Sequence, residues 1–166
     1  MPFLRYKGQM EQETLFQSDR SQSPLAEQRR PESFDAIIGQ EHVLTSRFKK
    51  ILETDRWTGF IFWGPPGTGK TTLATVIAKI TRRPFITLSA VTSGVKDIRE
   101  VLDRSRSAFR MGQPSHILFI DEVHRLNKAQ QDVLLPFLEE GSIRFIGATT
   151  ENPSFEINNA IASRSM

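Results

Sequence analysis

The sequence predicts an α/β fold in which a parallel β-sheet is covered by helices on both faces. Short apolar segments alternate along the chain with segments of helical periodicity. The apolar segments lack alternating polarity, which is typical of strands buried on both sides in a parallel sheet. A glycine-rich loop also joins the first of these apolar segments to a helical one.

The elements of the first half are assigned from apolar spacing and from breaker residues. Residues 41–54 carry apolar side chains three and four positions apart, which predicts a helix. The apolar run 59–63 ends at Gly-Pro-Pro and predicts a strand. A helix over 70–81 and a strand over 84–88 follow by the same criteria.

The second half repeats this alternation. We predict a helix over 95–109, ended by a glycine and a proline, and a strand over 116–120. A helix over 128–138 contains Pro136, which should bend or shorten its last turn. A strand over 142–148 and a final helix over 155–163 complete the series.

Composition narrows the function classes. The 166 residues include 22 Lys and Arg against 19 Asp and Glu, a net charge of +3 that permits nucleic acid as a partner without requiring it. The chain contains no cysteine, which excludes disulfides, cysteine-ligated zinc and thiol catalysis and fits a cytoplasmic location. No apolar run approaches the length of a membrane span or of a signal peptide.

Two regions differ in composition. Residues 1–33 are rich in Gln and Ser, their charges cancel, and no apolar period persists, so we predict a mobile N-terminal arm. The folded core is expected over residues 34–166.

The glycine-rich loop has the spacing of a phosphate-binding loop, a glycine followed by four residues and then Gly-Lys-Thr. Glycines let backbone N–H groups surround phosphate oxygens, and the following helix directs its positive end at the same anion. Lys70 would supply charge to the β- and γ-phosphates of ATP, and the Thr71 hydroxyl would ligate Mg²⁺. The predicted nucleotide-binding residues are Gly64, Pro65, Pro66, Gly67, Thr68, Gly69, Lys70, Thr71 and Thr72.

Two carboxylates follow the apolar run 116–120, 51 positions after Lys70. Ligands of open parallel sheets bind at the carboxyl ends of the strands, which is where these residues should lie. Neighbouring strand residues point to opposite sides, so the two should differ in role. We expect Asp121 to hold Mg²⁺ and Glu122 to polarise the water that attacks the γ-phosphate.

Together with the segment Gly147-Ala148-Thr149-Thr150, these motifs resemble those of AAA+ ATPases, which implies a P-loop NTPase fold. Within that superfamily the sequence resembles the replication-associated recombination protein A family. That family is related to clamp-loader subunits and Werner-helicase-interacting ATPases. The matching segments are residues 30–35, 38–42, 124–132 and 147–156.

The resemblance assigns further nucleotide contacts. Ile37 and Ile38 would line the adenine pocket, although two isoleucines beside a glycine could equally belong to the core. Arg164 resembles the arginine that reaches the ATP of a neighbouring subunit, which implies a homo-oligomer. A frayed terminal arginine is the alternative interpretation.

The resemblance also implies a polar first sensor after the strand 142–148. Thr150 is our assignment, with Thr149 and Asn152 as rivals. Ser89, at the end of the second strand, would hold Glu122 in an inactive pose until a partner binds.

The family continues beyond this sequence with a fifth strand, a helical lid and an oligomerisation domain. Its sheet order, 5-1-4-3-2, would leave the strand at 60–63 as an apolar edge in this incomplete core. We therefore expect the 166-residue chain alone to bind nucleotide poorly and to hydrolyse it no faster than background.

The arm contains a candidate partner motif. Gln12, Leu15 and Phe16 fit the short peptide by which bacterial replication proteins engage the sliding clamp. A chance Leu-Phe pair in a tail is an equally good explanation.

The sequence thus predicts the ATP-binding core of an AAA+ ATPase that acts on forked or single-stranded DNA in replication, recombination and repair, close to the nucleoid. The alternatives are a clamp-loader subunit, a Holliday-junction branch-migration ATPase, and a nucleotide- or clamp-binding module without turnover.

Overall fold

The computed structural model describes residues 33–34, 44–153 and 157–165. The predicted arm apart from Ser33, and with it the clamp motif, lies outside the described residues, as do Ile37 and Ile38. No helix within the described ranges is long and apolar enough to cross a membrane. The elements are α1 (Ser46–Glu53), β1 (Gly59–Trp63), α2 (Lys70–Thr81), β2 (Phe85–Ser89), α3 (Val95–Arg110), β3 (His116–Asp121), a 3-10 turn (Val123–Arg125), α4 (Lys128–Glu140), β4 (Ile143–Thr149) and α5 (Asn159–Ala162).

Four strands form one parallel sheet in the order β1-β4-β3-β2. The predicted parallel sheet is confirmed, and each strand lies within one residue of its predicted bounds. Because all four strands run in the same direction, their carboxyl ends meet along one edge. β4 lies between β1 and β3, so its end separates the loop after β1 from the residues after β3.

Each face of the sheet buries its own apolar core. On one face, Phe119 of β3 and Ile146 of β4 pack with Ile77 of α2. On the other face, Phe145 of β4 packs with Leu134 of α4. Alternate strand residues therefore serve opposite cores, which explains why these strands are apolar throughout.

Two helices begin later than their apolar patterns predict, because polar side chains cap them. The Thr45 hydroxyl oxygen accepts the N–H of Phe48, so α1 begins at residue 46 and Leu44 is not helical. The Asn158 side chain caps α5 in the same way, so the single helix predicted over 155–163 is wrong. Residues 41–43 and 154–156 lie outside the described residues.

Helix α4 passes through Pro136 and continues to Glu140. The expected shortening at this proline is therefore wrong. Pro136 lies on the exposed side of the helix, as does Asp132, whose carbonyl loses its helical donor. Water can solvate that carbonyl, so the helix tolerates the proline. It ends at Gly141, whose φ of 76° suits glycine.

Within the described part of the sheet, β1 is an edge strand, as the family's strand order implies. Trp63 at its end is 61% exposed. At its beginning, Gly59 forms a parallel bridge with Ser165, so the last described residues lie against the free edge of β1.

Gly147 lets β4 pack closely beneath the turn that follows β3. A Cβ atom built there would lie 3.1 Å from Val123 Cγ1 and 3.1 Å from Phe145 Cζ. Val123 directly follows Glu122, so the packing of Val123 against Gly147 also positions the turn that carries the Glu122 carboxylate relative to β4.

We predict that Gly147→Ala lowers the free energy of unfolding by about 1–3 kcal/mol, because neither neighbour can move without disturbing the core. Urea unfolding measures it. Gly94→Ala is the comparison, since its added Cβ meets only the Asp97 carboxylate, at 3.3 Å, and the less favourable N-cap of α3 should cost under about 1 kcal/mol. Equal losses for the two variants would contradict the close packing.

Candidate nucleotide-binding site

The loop between β1 and α2 leaves open space beside its backbone. Gly67 and Gly69 have φ values of 78° and 84°, in the region that side chains disfavour. A Cβ atom added at either position would have no heavy atom within 4 Å. The loop therefore has both the backbone conformation and the space that a phosphate cradle requires.

Lys70 is the first residue of α2, and its side chain folds back across the loop. Its Nζ donates to the carbonyl oxygens of Gly64 and Pro65, at 2.8 and 2.9 Å. The Thr68 hydroxyl donates to the same Pro65 carbonyl at 2.9 Å. The cation is thus held over the loop at the positive end of α2, where an anion is favoured. Thr71 and Thr72 are partly buried in the first turn of that helix.

The loop is also tied to the end of β4. Trp63 pairs in register with Thr149, and the next N–H, that of Gly64, donates to the Thr149 carbonyl oxygen at 3.2 Å. The β1–β4 ladder therefore extends one residue into the loop and fixes where the loop begins.

The two carboxylates lie at the end of β3. Asp121 is the last residue of the strand and is exposed. Glu122 lies beyond the strand in the left-handed region, with φ 52° and ψ 46°, and its N–H donates to Asp121 Oδ1 at 3.0 Å. Glu122 is therefore not a strand residue, so strand alternation does not apply to it, and the difference in role between the two carboxylates stays a prediction.

Thr149 and Thr150 differ in environment. Thr149 is fully buried, its Oγ1 lies 2.9 Å from His124 Nδ1, and it accepts the N–H of Glu151 at 3.0 Å. Thr150 follows the strand and is only partly buried. The Thr149 hydroxyl is therefore occupied by contacts within the protein.

His124 is the site residue that sequence reasoning missed. Its Nε2 lies 3.2 Å from Glu122 Oε2. Among the described residues, the Glu122 carboxylate thus has His124 as its contact, whereas Ser89 pairs in register with Asp121. The sequence did contain a signal for this contact: His124 comes two positions after Glu122, and the neighbouring strand β4 ends at the polar residue Thr149.

A groove of about 560 Å³ lies beside the loop, between α1 and β1. Its walls include Arg47 and Phe48 of α1, Trp63 of β1, and Lys70. The groove is lined mainly by apolar side chains and opens onto the phosphate loop, which suits a flat ring attached to a phosphate chain.

Arg164 lies far from this edge in its own chain. Its guanidinium donates to Glu139 Oε1 at 2.7 Å and to the Ala160 carbonyl at 2.8 Å. The next residue, Ser165, bridges to Gly59 at the beginning of β1. Four strand rises, about 13 Å, separate Gly59 from the end of β1, which exceeds the reach of an arginine side chain.

The structure thus brings the phosphate loop, Asp121, Glu122 and Thr150 to one edge of the sheet, with Lys70 in the loop. It leaves Arg164 at the opposite end of β1.

Comparison with known proteins identifies the family. The family model described as the ATPase family associated with various cellular activities (AAA) matches residues 60–166. The chain is 52% identical over 149 residues to replication-associated recombination protein A of Escherichia coli K12, covering 89% of this chain and 33% of that protein. It is 52% identical over 147 residues to ATPase WRNIP1 of Dictyostelium discoideum, covering 87% and 17%.

Solved structures show the same fold. The RuvB Holliday junction branch migration motor of Thermotoga maritima matches with a TM-score of 0.62 and 31% identity, covering 82% of this chain and 48% of that one. The chain spans about a third of the length of the first curated relatives. The matched segment and the shared fold show that the chain belongs to the AAA family of ATPases.

Proposed function

We propose that this chain forms the ATP-binding and ATP-hydrolysing part of an AAA ATPase that acts in DNA replication, recombination and repair. One observation carries the proposal. Lys70 Nζ lies 2.8 and 2.9 Å from two carbonyl oxygens of an open glycine loop, at the sheet edge where Asp121 ends β3 and Glu122 follows it. A phosphate chain entering the loop would give this cation an anionic partner in place of two neutral ones.

The loop residues 64–72 would hold the phosphates, through backbone N–H groups and the Lys70 ammonium group. The adenine ring would enter the groove beside Phe48 and Trp63. Ile37 and Ile38 would close that groove, as the family resemblance suggests.

Asp121 and Thr71 carry the carboxylate and hydroxyl oxygens that Mg²⁺ prefers, and Asp121 is exposed at the sheet edge. When bound, Mg²⁺ neutralises charge on the phosphate oxygens. Glu122 would polarise the attacking water, because it directly follows the last residue of β3 at the same edge and its carboxylate is partly exposed.

Thr150 is the best candidate for the first sensor. The Thr149 hydroxyl contacts His124 and is fully buried on the α3–α4 side of β4. Thr150 follows β4 at the sheet edge where the phosphate loop lies, and it is only partly buried. A hydroxyl there could contact the γ-phosphate or its attacking water.

Arg164 would act on the ATP of a neighbouring copy. Its distance from its own loop, together with its partly exposed side chain, supports supply in trans within a homo-oligomer. An arginine supplied in this way stabilises transition-state charge only after assembly.

We predict that Lys70→Ala lowers ATP affinity by about 10- to 100-fold, because a charged hydrogen bond to phosphate is lost. Isothermal titration measures the affinity. Lys96→Ala, an exposed lysine on α3, is the control and should bind as the unmodified chain does. Affinity within twofold of the unmodified chain for Lys70→Ala would overturn the assignment.

Glu122→Gln should retain ATP affinity and lose hydrolysis, because the amide keeps the shape but not the basicity of the carboxylate. Because the chain alone is expected not to hydrolyse ATP, single-turnover hydrolysis is measured with the family's lid and oligomerisation domain joined to it, beside a binding titration of the chain. A large loss of affinity would instead make Glu122 a structural or metal-binding residue.

The DNA partner distinguishes the rival functions. The 52% identity to replication-associated recombination protein A favours a role in replication and recombination, for which the family resemblance implies forked or single-stranded DNA. The match to the RuvB Holliday junction motor favours four-way junctions instead. We predict that forked DNA increases ATP turnover more than four-way or plain duplex DNA does. Preferential stimulation by four-way junctions would support the branch-migration alternative, and turnover unaffected by any DNA would support a module without a DNA partner.

We predict that a peptide of residues 10–17 binds a bacterial sliding clamp with micromolar affinity, about −8 kcal/mol. Leu15 and Phe16 carry most of its apolar area, so replacing both by alanine should abolish binding in a fluorescence-anisotropy titration. Equal binding by the doubly substituted peptide would remove the clamp as a partner.

A further inference from the structure

His124 lies in the short turn that follows Glu122, and its side chain is 7% exposed. Its Nε2 lies 3.2 Å from Glu122 Oε2 and 3.4 Å from Glu151 Oε1. Its Nδ1 lies 2.9 Å from Thr149 Oγ1. The ring thus bridges the residue after β3 and the residues that end β4.

The three side chains around the His124 ring indicate which of its nitrogens donates a hydrogen bond. Carboxylates only accept hydrogen bonds, so Nε2 carries a proton and donates towards Glu122 and Glu151. In the neutral ring, Nδ1 is then the acceptor of the Thr149 hydroxyl proton at 2.9 Å, in competition with the Glu151 carbonyl oxygen at 3.2 Å. The Thr149 oxygen in turn accepts the N–H of Glu151. The ring orientation is therefore set from β4, and the ring presents a donor to Glu122.

Glu122 needs such a partner. Its backbone has a φ of 52°, which is costly for a residue with a side chain and persists where surrounding contacts enforce it. Its side chain is 40% exposed and has three rotatable bonds, so solvent alone would leave the carboxylate in several positions.

We propose that His124 is a positioning residue, which holds the Glu122 carboxylate in one pose and couples that pose to the end of β4 through Thr149. The proposal rests on the proposed role of Glu122 in polarising water. His124 acts through Glu122, so its loss should slow hydrolysis without weakening nucleotide binding.

The first test is spectroscopic and needs no turnover. We expect His124→Ala to shift the side-chain carboxyl ¹³C resonance of Glu122, and Thr149→Val to shift the Nδ1 resonance of His124. Arg125→Ala, an exposed neighbour in the same turn, is the matched control and should leave both resonances in place. An unchanged Glu122 resonance in His124→Ala would overturn the proposal.

The second test is kinetic. With the family's lid and oligomerisation domain joined to the chain so that turnover is measurable, His124→Ala should slow single-turnover ATP hydrolysis by about 10- to 100-fold, with ADP affinity unchanged. His124→Gln should recover part of the rate, because its amide N–H can still donate to the carboxylate. Equal rates for the unmodified chain and His124→Ala, or no recovery in His124→Gln, would count against positioning by this hydrogen bond.

The two proposals fail in different ways. Nucleotide affinity of Lys70→Ala equal to that of the unmodified chain would contradict the proposed function. The Glu122 resonance would still show whether His124 holds the carboxylate.

Discussion

The candidate site depends on the parallel pairing of β4 with β1 on one side and β3 on the other. The pairing aligns the carboxyl ends of three strands, and the hydrogen bond from Gly64 N to the Thr149 carbonyl carries this alignment into the phosphate loop. The loop comes from one neighbour of β4 and the carboxylates from the other. The distance between the phosphate loop and the carboxylates is therefore set by β4, which lies between the two strands that carry them.

Two consecutive threonines at the end of β4, Thr149 and Thr150, lie in different environments. The buried Thr149 hydroxyl meets His124 and so supports the turn that carries Glu122. Thr150, past the strand and partly exposed, remains near the open edge. Gly147, two residues before Thr149, gives Val123 the space to pack against the strand. Gly147 and Thr149 of β4 thus position the turn that carries Glu122 and orient its histidine.

The sequence was sufficient for features encoded by local pattern, such as the strand at 59–63 and the helix 70–81 that follows the loop. It was insufficient where a single side chain decides, as at the start of α1, where the Thr45 cap overrides an apolar period that continues upstream. The left-handed turn at Glu122 and the contact between His124 and Thr149 depend on the meeting of two strand ends. The spacing of residues along the chain does not predict which residues of two separate strands come into contact.

The most direct test of the central claim is an NMR titration of the chain with Mg·ADP, which detects even millimolar binding. If the sheet edge is a nucleotide site, the largest backbone amide shifts will fall in residues 64–72, with smaller shifts at Asp121, Glu122 and Thr150. Shifts centred elsewhere, for example around Arg83 at the opposite end of the sheet, would contradict the account. So would the absence of any shift at saturating nucleotide.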